Sequence, residues 1–424
     1  MLKILTTSQE MEAGLGPETL DTLARRGAQA MLHQALEEEV AAYLTQHQAR
    51  DAQGHALVVR NGKARARSVT CGAGTLTVEA PRVNDRRVDA HGQRQRFTSR
   101  ILPPYMRRSP KVAEVLPVLY LRGLSTGDFR EALPILLGED AAGLSPTNIT
   151  RLTAVWEEEY HAFRQRDLTD RDYVYVWVDG VHFNIRLEDE RLCTLVMLGA
   201  RPDGTKELIA VEDGYRESTA SWAELLRDLK RRGMAAPVLA VGDGALGFWA
   251  AVRDVWPETR PQRDWCHKMA NILDKLPPRL QAKAKRALRE IMYAETRTDA
   301  DELIDRFARV YGPKHPKAVA CLVDDREVLL TFFDFPAAHW QHIRTSNPVE
   351  SPFATVRLRQ RVTKGAGTRT KGLTMAFKLL AMAEQRWRRL NGAHLLPLVR
   401  AGVRFVDGEQ LERQEEKKDR KDAA

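Results

Sequence analysis

Apolar positions in residues 17–47, "PETLDTLARRGAQAMLHQALEEEVAAYLTQH", recur at three- and four-residue spacing, which predicts an amphipathic helix suited to packing or self-association. From 60 to 82, "RNGKARARSVTCGAGTLTVEAPR", the pattern alternates around a Gly-rich turn. That predicts a small β-hairpin carrying Arg60, Arg65 and Arg67. Asp85 to Arg100 is polar and arginine-rich, the texture of a linker. Short helical segments return between 105 and 165, the last with Ser145 as its cap and Pro146 at the first helical position. Short helices with tight turns suit a helix-turn-helix DNA reader or any small helical bundle; the basic charge nearby favours the reader.

At 172 the texture changes. "YVYVWVDG" is a continuous apolar run, hence a strand buried on both faces. "HFNIRLED", "RLCTLVMLGA" and "KELIAVEDGY" follow as further strands, then a helix opened by a capping box of Ser221 and Glu224. "PVLAVGDGA" is another buried strand, followed by the helix "LGFWAAVRDVW". The pattern predicts a mixed α/β domain in which Asp179 and Asp243 each end a strand just before a glycine. Residues 266–340 are helical without another buried strand and read as an insertion. Beyond it Glu350 lies near the start of a helix, with Asn347 as cap and Pro348 in the first turn. A last helix covers about 371–391, and the charged tail "GEQLERQEEKKDRKDAA" lacks the apolar content to fold.

A chain of 424 residues needs more than one core. No apolar run approaches the roughly 18–20 residues that span a bilayer, so a cytoplasmic protein is expected. Cys71, Cys193, Cys266 and Cys321 are scattered without a C-x-x-C pair, against a disulfide framework or a four-cysteine zinc site. The net charge of +9 matters through its distribution. Residues 60–100 carry ten Arg or Lys against three acids, and 335–383 carry eight against one, Glu350. Such clustering suits a polyanion, DNA or RNA before a membrane, because no basic amphipathic anchor accompanies it.

A single carboxylate in so basic a surface weakens anion binding unless something cationic neutralises it. In an open α/β sheet, chemistry collects at the carboxyl ends of strands, where Asp179 and Asp243 can meet and Glu350 can approach from its helix. Three converging carboxylates repel, and divalent magnesium removes the conflict through oxygen ligation. Two such ions about 3.5–4 Å apart serve phosphoryl transfer. Each piece taken alone has a plainer reading: "VDG" and "GDG" are good turns, Glu350 suits a helix dipole, and Arg357, seven residues on, is an exposed arginine.

Taken together, "DGVHF", "VGDGALGFWAAV", "QRDWCHKMANILDKLP" and "TSNPVESPFATVRLRQR" resemble successive blocks of the mutator-type bacterial insertion-sequence transposases, over most of the chain to about residue 405. The resemblance implies a ribonuclease-H-like catalytic domain with an all-helical insertion before its glutamate. It implies an Asp-Asp-Glu triad of Asp179, Asp243 and Glu350 holding two Mg2+, with Mn2+ as a substitute. It places a basic residue at Arg357, with Arg359, Arg361 and Lys364 beside it on the DNA phosphates. The implied activity is binding of terminal inverted repeats, strand cleavage to free a 3′-hydroxyl, and strand transfer into target DNA, by a homodimer close to the nucleoid. The family often has C-x-x-H after its second aspartate, where this chain has "DWCH", Asp264 and His267. That departure weakens a structural zinc, because Cys266 has the wrong spacing to replace the missing ligand. His267 then either supports the triad or DNA, or only caps local backbone, and Trp265 either stacks on a base or lies in the core. Asp203 and Asp213 sit in turns and are read as structural.

The expected organisation is an N-terminal helix (1–58), a basic hairpin and linker (59–104), a helical DNA-binding region (105–167), a catalytic core in two parts (168–265 and 343–405) around the insertion (266–342), and a disordered tail (406–424). A nuclease of the same fold without strand transfer, and a silent DNA-binding protein, are the alternatives. Strand transfer on pre-nicked ends separates the first, and the intact triad disfavours the second.

Overall fold

The computed structural model describes residues 19–122, 124, 133, 137, 146–185, 192–214, 218–244, 247–363 and 368–411. Ser145, Lys364, the connection of the helix-turn-helix candidate and the tail from 412 lie outside the described residues. The chain divides into two compact units, up to Ala154 and from Val155 onward. Among the described residues no helix is long and apolar enough to cross a membrane.

In the first unit, helix α1 (Leu20–Gln46) packs on two antiparallel strand pairs. The inner pair, β2 (Arg67–Cys71) with β3 (Gly74–Val78), is the expected hairpin. It is framed by an outer pair that sequence reading missed, β1 (Val58–Lys63) with β4 (Pro81–Asp85). Leu36 of α1 meets Val69, Leu76, Val78 and Leu102 in one buried cluster, so the helix and the hairpin share a core. The 85–100 stretch is no linker. Tyr43 Oη donates to Asp85 at 2.6 Å, Arg87 donates to the same carboxylate at 2.6 Å, and Arg100 N donates to Glu39 at 2.6 Å. Asp85, Arg87, Ser99 and Arg100 tie it to α1, while most of its other polar residues stay exposed. Helix α2 (Pro110–Arg122) follows.

Helix α3 (Pro146–Gln165) contains the boundary between units, so the region expected as one helical DNA reader is divided. Its second half belongs with the sheet: Tyr160 Oη donates to Val211 O at 2.8 Å and Arg166 to Leu208 O at 2.6 Å.

The second unit is built on a five-stranded mixed sheet in the order β7-β6-β5-β8-β9. β5 (Tyr175–Phe183), β6 (Leu192–Ala200) and β7 (Lys206–Gly214) form an antiparallel meander; β8 (Leu239–Gly242) and β9 (Arg260–Arg263) run parallel to β5. "YVYVWVDG" and the start of "HFNIRLED" are one strand rather than two. Asp179 therefore lies mid-strand in β5, paired with Val196, because the ladder with β6 runs on to Phe183 after the ladder with β8 has stopped at Trp177. Helices α4 (Thr219–Arg231) and α5 (Phe248–Val255) cover one face, where Trp222 and Phe248 join Val176, Val178 and Ala240 in the core. Ser218, not Ser221, caps α4 by accepting from Ser221 N.

Helices α6 (Trp265–Leu273), α7 (Pro278–Met292), α8 (Arg297–Tyr311) and α9 (Pro316–Val323) form the helical segment between β9 and the Glu350 helix. Two long helices close the unit, α10 (Asn347–Thr363) and α11 (Arg369–Glu384), packed on β5 and β7 respectively. Residues 406–411, expected to begin the disordered tail, join Phe405 in a small hairpin, β10 (Phe405–Val406) with β11 (Glu409–Gln410). It is anchored by Gly408 O accepting from Ala337 N at 3.0 Å and Asp407 accepting from Arg297 N at 2.7 Å.

Candidate active site

Side chains alternate across a strand, so position along β5 decides which face each residue serves. Val176 and Val178 point into the core under α4 and α5. Tyr175 and Trp177 take the opposite face, where Tyr175 Oη meets His339 Nδ1 at 2.8 Å and Trp177 Nε1 donates to His342 O at 2.8 Å. Asp179, two residues on, shares that face, which is the one α10 covers.

Register then fixes the second carboxylate. Trp177 pairs with Val241 across the parallel ladder, and Asp179 and Asp243 each follow their paired residue by two. Counted on from that pair, the two aspartates fall at equivalent positions, Asp179 within β5 and Asp243 one residue past the end of β8. Asp243 has its backbone pinned by Trp249 Nε1, which donates to Asp243 O at 2.6 Å. Asp179 is 9% exposed and turns one oxygen back to Gly180 N at 2.8 Å.

Glu350 stands in the first turn of α10, where the helix dipole favours a carboxylate. Val349, Phe353 and Val356 bury the neighbouring face and set the rotation of the helix. Ser346 Oγ donates to Glu350 Oε1, a contact sequence reading did not name. Asn347 is the first helical residue and exposed, so the cap position falls one residue earlier, on Ser346.

Asp264 joins these parts. Its backbone N–H donates to Gly242 O at the end of β8 at 2.9 Å. Its buried carboxylate caps α6, accepting from Cys266 N at 3.2 Å and His267 N at 2.6 Å, and also accepts from Ser346 N at 3.0 Å. The fourth partner is His267 Nδ1, at 2.6 Å from Asp264 and 3.5 Å from Glu350 Oε1. The hydrogen bond to Asp264 pushes the His267 pKa up to about 9, against its partial burial, with Asp243 and Glu350 adding to the rise. Asp264, His267 and Glu350 form a compact cluster with donor atoms within 4.8 Å of one another, a geometry that on distance alone suits a metal. Within the cluster, however, the oxygens of Asp264 already accept from four N–H groups, so its carboxylate serves the local fold. His267 lies on α6 beside Glu350, not at a strand end. Trp265 is fully buried with its indole N–H on Leu329 O at 2.9 Å, which leaves the core reading of it.

The family model described as "Transposase, Mutator family" matches residues 3–388. The chain belongs to the Mutator family of transposases. It is 58% identical over 302 residues to the transposase for insertion sequence element IS6120 of Mycolicibacterium smegmatis, covering 71% of this chain and 93% of that protein. It is 49% identical over 287 residues to the transposase for IST2 of Acidithiobacillus ferrooxidans, covering 66% and 95%. The transposase for IS905 of Lactococcus lactis subsp. lactis is 25% identical over 335 residues, covering 79% and 82%.

In this Mutator-family chain the basic residues expected to meet DNA fall into two groups. Arg357 and Arg361 are exposed on α10, and Arg65 is exposed between β1 and β2. Arg357 lies over the Phe353 ring at 5.8 Å, one helical turn from it. Arg359 is corrected: it is 2% exposed, so it is no surface phosphate contact. It falls on the buried stripe of α10 with Phe353 and Val356, while Leu358 beside it is 47% exposed. Arg67 is partly buried, with Nη2 donating to Leu102 O at 3.3 Å and Pro103 O at 3.1 Å. Arg60 is half-exposed but paired with Glu37 at 2.6 Å, which cancels its charge. Asp213 pairs with Arg369 and Asp203 closes a turn onto Thr205, the structural roles expected of them.

Proposed function

We propose that the chain acts as an Asp-Asp-Glu transposase that binds the terminal inverted repeats of its element, cleaves one strand at each end and joins the freed 3′-hydroxyl to target DNA. The observation that carries this reading is that Asp179 in β5 and Asp243 just past β8 each lie two residues beyond the Trp177–Val241 pair, with α10, which bears Glu350, packed on β5. The sheet order, an antiparallel meander of three strands with two further strands parallel to the first, supports a ribonuclease-H-like core with the helical segment inserted before α10.

The donor set suits two hard divalent cations, Mg2+ with Mn2+ as substitute, because carboxylate oxygens are their preferred ligands. Asp179, Asp243 and Glu350 would hold them, and when bound they supply Lewis-acid stabilisation for in-line displacement at phosphorus. The chain's own residues do the rest. Ser346 and His267 fix the rotamer of Glu350, Asp264 fixes His267, and Trp249 fixes the backbone at Asp243. Arg357 and Arg361 hold phosphates of the DNA strand along α10, and Arg65 adds a contact from the first unit. Joining two ends calls for two protomers.

The test is cleavage and strand transfer with DNA carrying the element's own ends, in magnesium, comparing the wild type with Glu350→Gln. Cleavage without joining of pre-nicked ends would leave a nuclease. Wild-type protein that neither cleaves nor joins its ends would overturn the reading.

A further inference from the structure

A cleft of about 390 Å³ opens between α6, α7 and the segment leading into α10. Its wall includes Arg344 and Thr345, 8% and 4% exposed. Arg344 Nε and Thr345 Oγ1 are both buried without a hydrogen-bond partner among the described residues. The Arg344 guanidinium is held instead by three aromatic rings, Phe332 at 4.8 Å and Tyr293 and Trp340 at 5.1 Å. Aromatic faces stabilise a cation only in part, and a buried charge without an anionic partner is costly. Burial pushes its pKa down to about 10, so it stays charged. Exposed Arg289 and Lys285 add positive charge to the same wall, and none of the described lining residues is acidic.

These features call for an anion. The space is in the range of sites for small organic ligands, roughly 300–1,000 Å³, so a lone phosphate would leave most of it open. Tyr293 and Met269 supply the apolar surface that a planar ring prefers. Cys266 and Asn347 also line the cleft, two residues after Asp264 and three before Glu350, so it opens beside the candidate active site. A duplex is too wide to enter, whereas one nucleotide out of the stack is not.

We propose that this cleft is a nucleotide subsite, taking one unstacked nucleotide of the bound DNA strand with its phosphate on Arg344, Arg289 and Lys285 and its base against Tyr293 and Met269. The inference rests on the transposase reading for the source of that nucleotide. Arg344 and Thr345 supply buried polar contacts, and the exposed cations draw the strand in.

The test uses the full chain and fluorescently labelled tetrathymidylate, with a random-sequence duplex as the control, at fixed salt. Tyr293→Ala and Arg289→Ala alter exposed side chains and should leave the fold intact. Each should weaken tetrathymidylate binding by about tenfold, in the range found for loss of one stacked base or phosphate contact, with duplex affinity changed less than about twofold. Tyr293→Phe should retain tetrathymidylate binding. Unchanged affinity in both alanine variants overturns the subsite. Competition by inorganic phosphate as strong as that by thymidine 5′-monophosphate overturns the base contact and leaves only an anion pocket. End cleavage by the wild type is scored separately. Intact cleavage with no effect of these variants removes the subsite alone, and absent cleavage with intact tetrathymidylate binding removes the transposase chemistry alone.

Discussion

Asp179 and Asp243 lie at one level of the sheet, each two residues beyond the Trp177–Val241 pair of the parallel ladder. By strand register the two acids, far apart in sequence, fall at one level, and the transposase reading has α10 carry the third toward them. Asp179→Asn, Asp243→Asn and Glu350→Gln should each reduce end cleavage by on the order of a thousandfold or more, because the amide replaces an ionised ligand oxygen. End binding, read by gel shift, should stay within about threefold of wild type, since phosphates are held by other residues. Near-normal cleavage in magnesium by any one variant removes that residue from the triad.

Arg357 and Arg359 differ by two positions and should behave oppositely. Arg357→Ala should weaken DNA binding and lower the salt slope by about one unit, as expected for one lost phosphate contact. Arg359→Ala should leave the slope unchanged and lower stability by about 2 kcal/mol or more, since it empties a buried site. Paired salt titrations and denaturant melts separate the two; a reduced slope for Arg359→Ala would reverse the assignment.

This pair shows where sequence reading fell short. In "VRLRQR" the charges alternate with a period of two, while a helix turns about every 3.6 residues. One of the three arginines therefore had to face inward, and composition alone does not say which. Asp179 and Asp243 stand out in the sequence because each follows an apolar run, and Glu350 because it is the one acid in a basic stretch; the order of strands and helices followed from those runs. The end of β5 was not legible, because one ladder stops at Trp177 and the other continues. The 85–100 stretch read as a linker because its partners, Glu39 and Tyr43, lie in a distant helix and pair through polar atoms rather than apolar spacing.

Asp264 should matter to stability as much as to activity. Asp264→Ala leaves the start of α6 uncapped and the buried Ser346 N–H unpaired, at a cost of about 2–3 kcal/mol. It also frees His267 and, through it, Glu350. Chemical denaturation should show the loss, and cleavage should fall while duplex binding persists. An unchanged denaturation midpoint would mean that the hydrogen bonds of Asp264 are replaced by water.

The first unit should be acid-sensitive at Asp85. Hydrogen bonds from Arg87 hold that carboxyl well below the usual range. A folded-state pKa below the unfolded value of about 3.9 means the stabilisation is complete above that pH and is lost as pH falls toward the folded value. Asp85→Asn should therefore be less stable than wild type at pH 7, with the gap narrowing below about pH 4. Denaturant midpoints of both proteins across that range check it, and a gap independent of pH would show that the ion pair contributes nothing to the fold.

Asp264 and Ser346 meet across 82 positions of chain, so the helical segment between them begins and ends at one hydrogen bond. Mechanically this is a clasp that closes the excursion beside the helix bearing Glu350, with further ties to the sheet at Tyr175–His339 and Trp177–His342. Asp264 belongs to that clasp and also holds His267, so a disturbance of the clasp reaches the neighbours of Glu350. The same arrangement lets the excursion grow or shrink over evolutionary time without displacing the carboxylates at its base.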